Sequence, residues 1–117
     1  VRRARILADH RPPDRPPIRI RVGEQVTLGE RDTEWPDFVW TVNAAGDGGW
    51  VPASLFDRAH GTATALDDYD TRELSVAAGE RVELDQALAG WWWARNAAGA
   101  TGWIPKRVIA SSEDHHG

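Results

Sequence analysis

Asn43-Ala44-Ala45-Gly46-Asp47-Gly48-Gly49-Trp50-Val51-Pro52 returns 53 residues later as Asn96-Ala97-Ala98-Gly99-Ala100-Thr101-Gly102-Trp103-Ile104-Pro105, with seven of ten positions identical. Agreement at that level, Trp and Pro included, marks an internal repeat, and a repeat sets the architecture before any other signal. A second match lies upstream. Val22-Gly23-Glu24-Gln25-Val26-Thr27-Leu28 aligns with Ala78-Gly79-Glu80-Arg81-Val82-Glu83-Leu84 at an offset of 56. The first copy therefore holds three more residues between its two matches, in the polar stretch 29–36. The chain reads as two copies of one small unit: domains at 1–58 and 62–110, joined near Arg58-Ala59-His60-Gly61, with a flexible tail at 111–117.

Each copy reads as short strands. Gln25–Leu28 and Arg81–Leu84 alternate polar and apolar residues, the pattern of a half-buried strand. Phe38–Val42 and Trp91–Arg95 are rich in aromatic or β-branched residues, and each runs into an Asn-Ala-Ala-Gly turn. Gly46 and Gly99 fit the positive-φ position of a hairpin loop. Gly49-Trp50-Val51 and Gly102-Trp103-Ile104 return as partner strands. Pro52 and Pro105 end the ladders, because proline has no N–H to donate. No helix-period segment of useful length is present. The expected fold class is all-β, as two tandem small β-barrels. Units of 50–60 residues are near the lower limit for independent folding, and seven tryptophans in 117 residues supply large side chains for their cores.

Composition narrows the function. Hydrophobic residues at 41% and charged residues at 27% describe a globular, soluble chain. Cysteine is absent, which excludes disulfides, a cysteine nucleophile and thiolate metal sites. No apolar run reaches the ~18 residues of a membrane span, and no export signal follows the basic start Val1-Arg2-Arg3-Ala4-Arg5, so a cytoplasmic location is expected. Residues 1–60 hold nine Arg and nine Asp+Glu, whereas 61–117 hold five Arg+Lys and nine Asp+Glu. Neither half offers the basic stripe that a phosphate backbone requires. Nucleic acid and membrane are therefore not expected partners.

The second copy resembles a Src-homology-3 domain. Ala65-Leu66-Asp67-Asp68-Tyr69-Asp70 is similar to the family's ALYDY motif, and Glu73-Leu74-Ser75-Val76 with Gly79-Glu80 to its ELSF…GD stretch. Trp91-Trp92-Trp93-Ala94 matches WWxA, and Gly102-Trp103-Ile104-Pro105 matches GxxP. The first copy is a divergent relative. Ile6-Leu7-Ala8-Asp9-His10 stands at the ALYDY place, Ile18-Arg19-Ile20 at the LSF place, and Phe38-Val39-Trp40 at the tryptophan pair. Its RT loop is three residues longer and full of proline. The pair resembles bacterial proteins built from tandem domains of this type.

The resemblance implies a non-catalytic module for proline-rich peptides. A polyproline helix is already extended, so docking it costs little entropy, and acidic loop residues pair with a flanking Arg or Lys. Carried over by position, the peptide groove is Tyr69, Trp91, Trp103 and Pro105, with Asp70 and Glu73 steering a basic residue. Asp67 and Val108 stand where the family has tyrosine. The first copy offers His10, Phe38, Pro52 and Leu55, an aromatic-poor set. Two rival readings stay open: a structural or self-association module without external ligand, and a wall-targeting module binding peptidoglycan peptides.

Other motifs carry less. Arg11-Pro12-Pro13-Asp14-Arg15-Pro16-Pro17 holds a P-x-x-P that serves either as a tethered ligand or, as the short spacing to Ile18 favours, as a loop stiffened by fixed φ angles. The acidic cluster Asp67, Asp68, Asp70 and Glu73 fails the calcium-loop pattern, which needs Gly at position six and Glu at position twelve. His10 and His60 are the only histidines outside the tail, and neither has a nearby serine. No enzyme activity, cofactor or metal is expected, and Asp114-His115-His116 reads as a frayed end.

Overall fold

The computed structural model describes residues 2–110. The tail at 111–117, with Asp114, His115 and His116, lies outside them. Ten strands follow in chain order: β1 (Arg2–Arg5), β2 (Arg19–Ile20), β3 (Gln25–Arg31), β4 (Phe38–Val42), β5 (Gly48–Pro52), β6 (Gly61–Thr64), β7 (Tyr69–Asp70), β8 (Arg81–Leu88), β9 (Trp91–Arg95) and β10 (Thr101–Pro105). Single 3₁₀ turns follow β5 and β10. The fold is all-β. Its ladders form two open four-stranded sheets, β1-β8-β9-β10 and β5-β4-β3-β6, and a two-stranded β2-β7 ribbon. Among the described residues the ladders do not close into barrels; isolated pairs such as Ile6↔Ile109 and Phe56↔Ala65 supplement the open sheets.

The hairpins form as their turn residues dictate. Gly46 has φ +90° and Gly99 φ +88°. In each turn the Asn side chain accepts backbone N–H groups: Asn43 Oδ1 from Ala45 and Asp47, Asn96 Oδ1 from Ala100. Pro52 and Pro105 are the last residues of their strands, as expected.

The compact units are not the two sequential copies. One comprises residues 1–15 and 72–117, the other residues 16–71. The first strand of each copy pairs with the third strand of the other. β1 lies on β8 with Arg3 opposite Glu83, and β6 lies on β3 with Thr62 opposite Thr27. The two units are built alike. In unit 1, Asp9 Oδ1 accepts the N–H of Ala78 and Ile6 exchanges backbone bonds with Glu80 and Gly79. In unit 2, Asp68 Oδ1 accepts the N–H of Val22 and Ala65 does the same with Glu24 and Gly23.

Packing favours this exchange. The core of unit 1 contains Ala4, Ile6, Leu74, Val76, Val82, Leu84, Ala94, Ile104, Val108 and Ile109, with Trp92 against it. Unit 2 buries Ala63, Ala65, Ile18, Ile20, Val26, Leu28, Thr41, Val51, Leu55 and Phe56 at the matching places. Several of these positions differ in volume between the units, and two of them, Ile6/Ala65 and Ile109/Phe56, face each other across the exchanged segment. Ile6 bridges Ile109, and Ala65 bridges Phe56. Sequential folding would set Ile6 against Phe56, an overpacked pair, and Ala65 against Ile109, an underfilled one. The connector of the first copy, Arg11–Pro17, is exposed throughout. Its four prolines fix φ over most of the segment, which bends only at Asp14–Arg15, where the Arg15 N–H donates to the Pro13 carbonyl at 2.9 Å, and this stiffness opposes the reversal that a sequential unit needs.

Candidate functional site

The six residues expected to share one groove fall in different units. Tyr69 and Asp70 form β7 of unit 2, while Glu73, Trp91, Trp103 and Pro105 belong to unit 1. In unit 2, Tyr69 is buried, and Asp70 faces Arg19 across the β2-β7 ribbon at 3.5 Å. Phe38, Pro52 and Leu55, expected at the first copy's groove, are in this same unit and are buried.

In unit 1 the place of the motif tyrosine is taken by His10, brought in by the first copy's leading segment. His10 exchanges two backbone hydrogen bonds with Val76. Its Nε2 lies 2.8 Å from Glu73 Oε1, and both side chains are largely buried (13% and 22% exposed). A carboxylate only accepts, so Nε2 carries the hydrogen and donates. The Trp91 ring meets the His10 ring edge-on at 5.6 Å. Trp91, half-buried on β9, thus shares a small polar-aromatic surface with a carboxylate whose first oxygen is engaged and oriented.

Expected groove residues on β10 are withdrawn from solvent. Pro105 is less than 2% exposed and Trp103 is 4% exposed. Trp103 meets Trp93 edge-on at 5.2 Å, and Trp50 meets Trp40 at 5.1 Å in unit 2. The recurrence of this pair makes it part of the scaffold. The triple tryptophan divides as strand alternation requires: Trp91 and Trp93 share a face, and Trp92 turns to the core beneath the Arg2 guanidinium, 5.4 Å above its ring.

The acidic cluster is dispersed. Asp68 holds the Val22 N–H, Asp70 faces Arg19, Glu73 holds His10 in the other unit, and Asp67 is exposed. Among the described residues no group of three or more His, Asp or Glu is placed to hold a metal ion.

The sequence reading placed His10 and Glu73 in separate grooves 63 residues apart. Nothing local joins them; only the volume match of Ile6 with Ile109 and of Ala65 with Phe56 carries a signal of the exchange. A double-mutant cycle of His10→Phe and Glu73→Gln in urea unfolding is expected to return a coupling of about 1–2 kcal/mol, the scale of a shielded hydrogen bond to a carboxylate. Additive effects would remove the bond from the account.

Comparison with known proteins places residues 3–55 in a match to the variant SH3 domain family model. That stretch is the first copy in sequence, so the region of similarity is contiguous in the chain while the compact units interlace. The mouse SH3 and PX domain-containing protein 2B is 26% identical over 121 aligned positions, covering 89% of this chain. The alignment takes in 13% of that protein's length. No solved structure matches. Among the described residues no helix is long and apolar enough to cross a membrane.

Proposed function

We propose that this chain is a non-catalytic protein-binding module whose peptide site lies on unit 1 around Trp91, Glu73 and His10. The observation that carries the reading is that the half-buried Trp91 ring and the Glu73 carboxylate are both held against His10. An aromatic face accepts a proline ring, and a carboxylate fixes a neighbouring Arg or Lys. Proline-rich peptides with a flanking basic residue fit this pair. The similarity of residues 3–55 to the variant SH3 family supports the same class of function. Trp103 and Pro105 form the wall behind the site. Tyr69 and Asp70 lie in unit 2, where Tyr69 is buried and Asp70 faces Arg19.

The test is a two-dimensional amide NMR titration with arginine-flanked proline-rich peptides. Localised shifts at Trp91, Glu73 and His10 are expected, and Trp91→Ala is expected to weaken binding at least tenfold, the effect of truncating an aromatic anchor. A dispersed spectrum that does not move would overturn the reading. It would favour a structural role, for which the burial of Tyr69, Trp103 and Pro105 speaks.

A further inference from the structure

Grouping charge by compact unit inverts its distribution. Residues 1–15 and 72–117 hold ten Lys+Arg against eight Asp+Glu, and residues 16–71 hold four against ten. Unit 1 is therefore +2 and unit 2 is −6, although the sequential halves are neutral and acidic. The exchanged leading segments deliver the difference: residues 1–15 carry +3, a surplus equal to the three arginines of β1, and residues 61–71 carry −3. Strand alternation sends Ala4 to the core and leaves Arg3 and Arg5 exposed on the outer face of the sheet. Register then sets Arg3, Glu83 and Arg95 side by side on one rung, and Arg5 opposite Arg81 on another. Arg3 reaches Glu83 at 4.0 Å, which places both on this face. Four arginines surround one glutamate.

The fold does not need these charges. The matching positions of unit 2 are Thr62, Thr64, Gln25, Thr27 and Val42, none of them charged. They make the same ladder. Arg5 lies opposite Arg81, a like-charge cross-strand pair.

We infer that the outer face of β1, β8 and β9 is a docking surface for an acidic, extended peptide segment of a partner protein. Arg3 and Arg5 are two residues apart on a strand, about 7 Å, the spacing of alternate carboxylates on an extended peptide. Guanidinium forks take carboxylates two-pronged, with direction as well as charge. A peptide is favoured over a phosphate polymer or an anionic membrane because Glu83 sits within the patch and penalises dense negative charge. The patch lies on the same face of β9 as Trp91, four residues along the strand, but shares no residue with the Trp91 site and does not depend on it.

The test uses the whole chain and a fluorescein-labelled (Glu-Ser)₄ peptide, with anisotropy read at 50 mM salt. Saturable binding is expected. The fourfold variant Arg3→Thr, Arg5→Thr, Arg81→Gln, Arg95→Val installs residues that the other unit already carries. It is expected to bind at least tenfold more weakly with an unchanged melting curve. Should it fail to fold, Glu83→Gln serves, with a several-fold gain in affinity expected. Absence of saturable binding, or a fourfold variant that folds and binds as the parent does, overturns the inference. So does co-sedimentation with phosphatidylserine vesicles that the peptide does not displace, which would assign the surface to a membrane.

Discussion

Cysteines introduced at positions 3 and 83 are expected to close a disulfide within one chain on mild oxidation, and cysteines at 3 and 27 are expected to stay reduced. The residues at 3 and 83 are Cα partners on adjacent antiparallel strands, and such partners lie about 4.5–5.5 Å apart, inside the range a disulfide spans. Thr27 is the position that a sequentially folded first copy would set opposite Arg3, because Thr27 and Glu83 hold the same place in the repeat. A second pair repeats the test from the other side: 62 with 27 closes, as those are partners in unit 2, and 62 with 83 does not. The chain has no native cysteine, so each pair reads without background. Monomer mobility on a non-reducing gel separates closure within a chain from closure between chains. Oxidation of 3 with 27 and 62 with 83 instead would replace the exchanged arrangement with the sequential one.

Gly102→Ala is expected to cost about 3 kcal/mol or more, since it combines overpacking with the loss of backbone hydrogen bonds. A methyl group there would stand 2.6 Å from the Glu73 carbonyl carbon and from the Leu74 nitrogen. Both are backbone atoms, with no side-chain rotamer to give way. The segment cannot step aside either, because the Leu74 N–H donates to the Trp103 carbonyl at 3.1 Å and the Trp103 N–H to the Arg72 carbonyl at 3.0 Å. Separating them releases both bonds and moves Glu73 from His10. Gly49 holds the same place in unit 2, but its added methyl would meet Ile18 and Thr71 side-chain carbons at 3.2 Å. Those can shift by a few tenths of an ångström, so Gly49→Ala is expected to cost about 1 kcal/mol, near the low end for overpacking. Urea unfolding followed by tryptophan fluorescence measures both; equal costs would mean that the β10 contact with residues 72–74 is looser than described.

Much of the local structure was legible because it depends on near neighbours in sequence. The Asn-Ala-Ala-Gly turns, the strands Phe38–Val42 and Trp91–Arg95, and the terminal prolines follow from turn chemistry and alternation. The exchange was not legible by the same means. β1 and β6 present the same alternation, with Ala4 and Ala63 at matching core positions, so either fits the register of β3 or β8. What separates the two arrangements is side-chain volume at Ile6 and Ala65, a property of pairs that no single stretch displays. The partner of Trp91 is hidden for the same reason: family position points to Tyr69 of the same copy, whereas the ring that meets Trp91 is His10, from the other copy.

The interlacing also has an order in time. A chain is made from its N-terminus, and β1 emerges long before β8 exists. Its first available partner is β3, the strand that belongs to β6 in the finished protein. The connector Arg11–Pro17 and the Ile6–Phe56 mismatch oppose that early pairing and leave β1 to wait for β8. Closing β1 onto β8 brings together residues nearly 80 positions apart, a slow step for a chain of this size. The first copy is therefore complete on the ribosome before its leading strand has a partner.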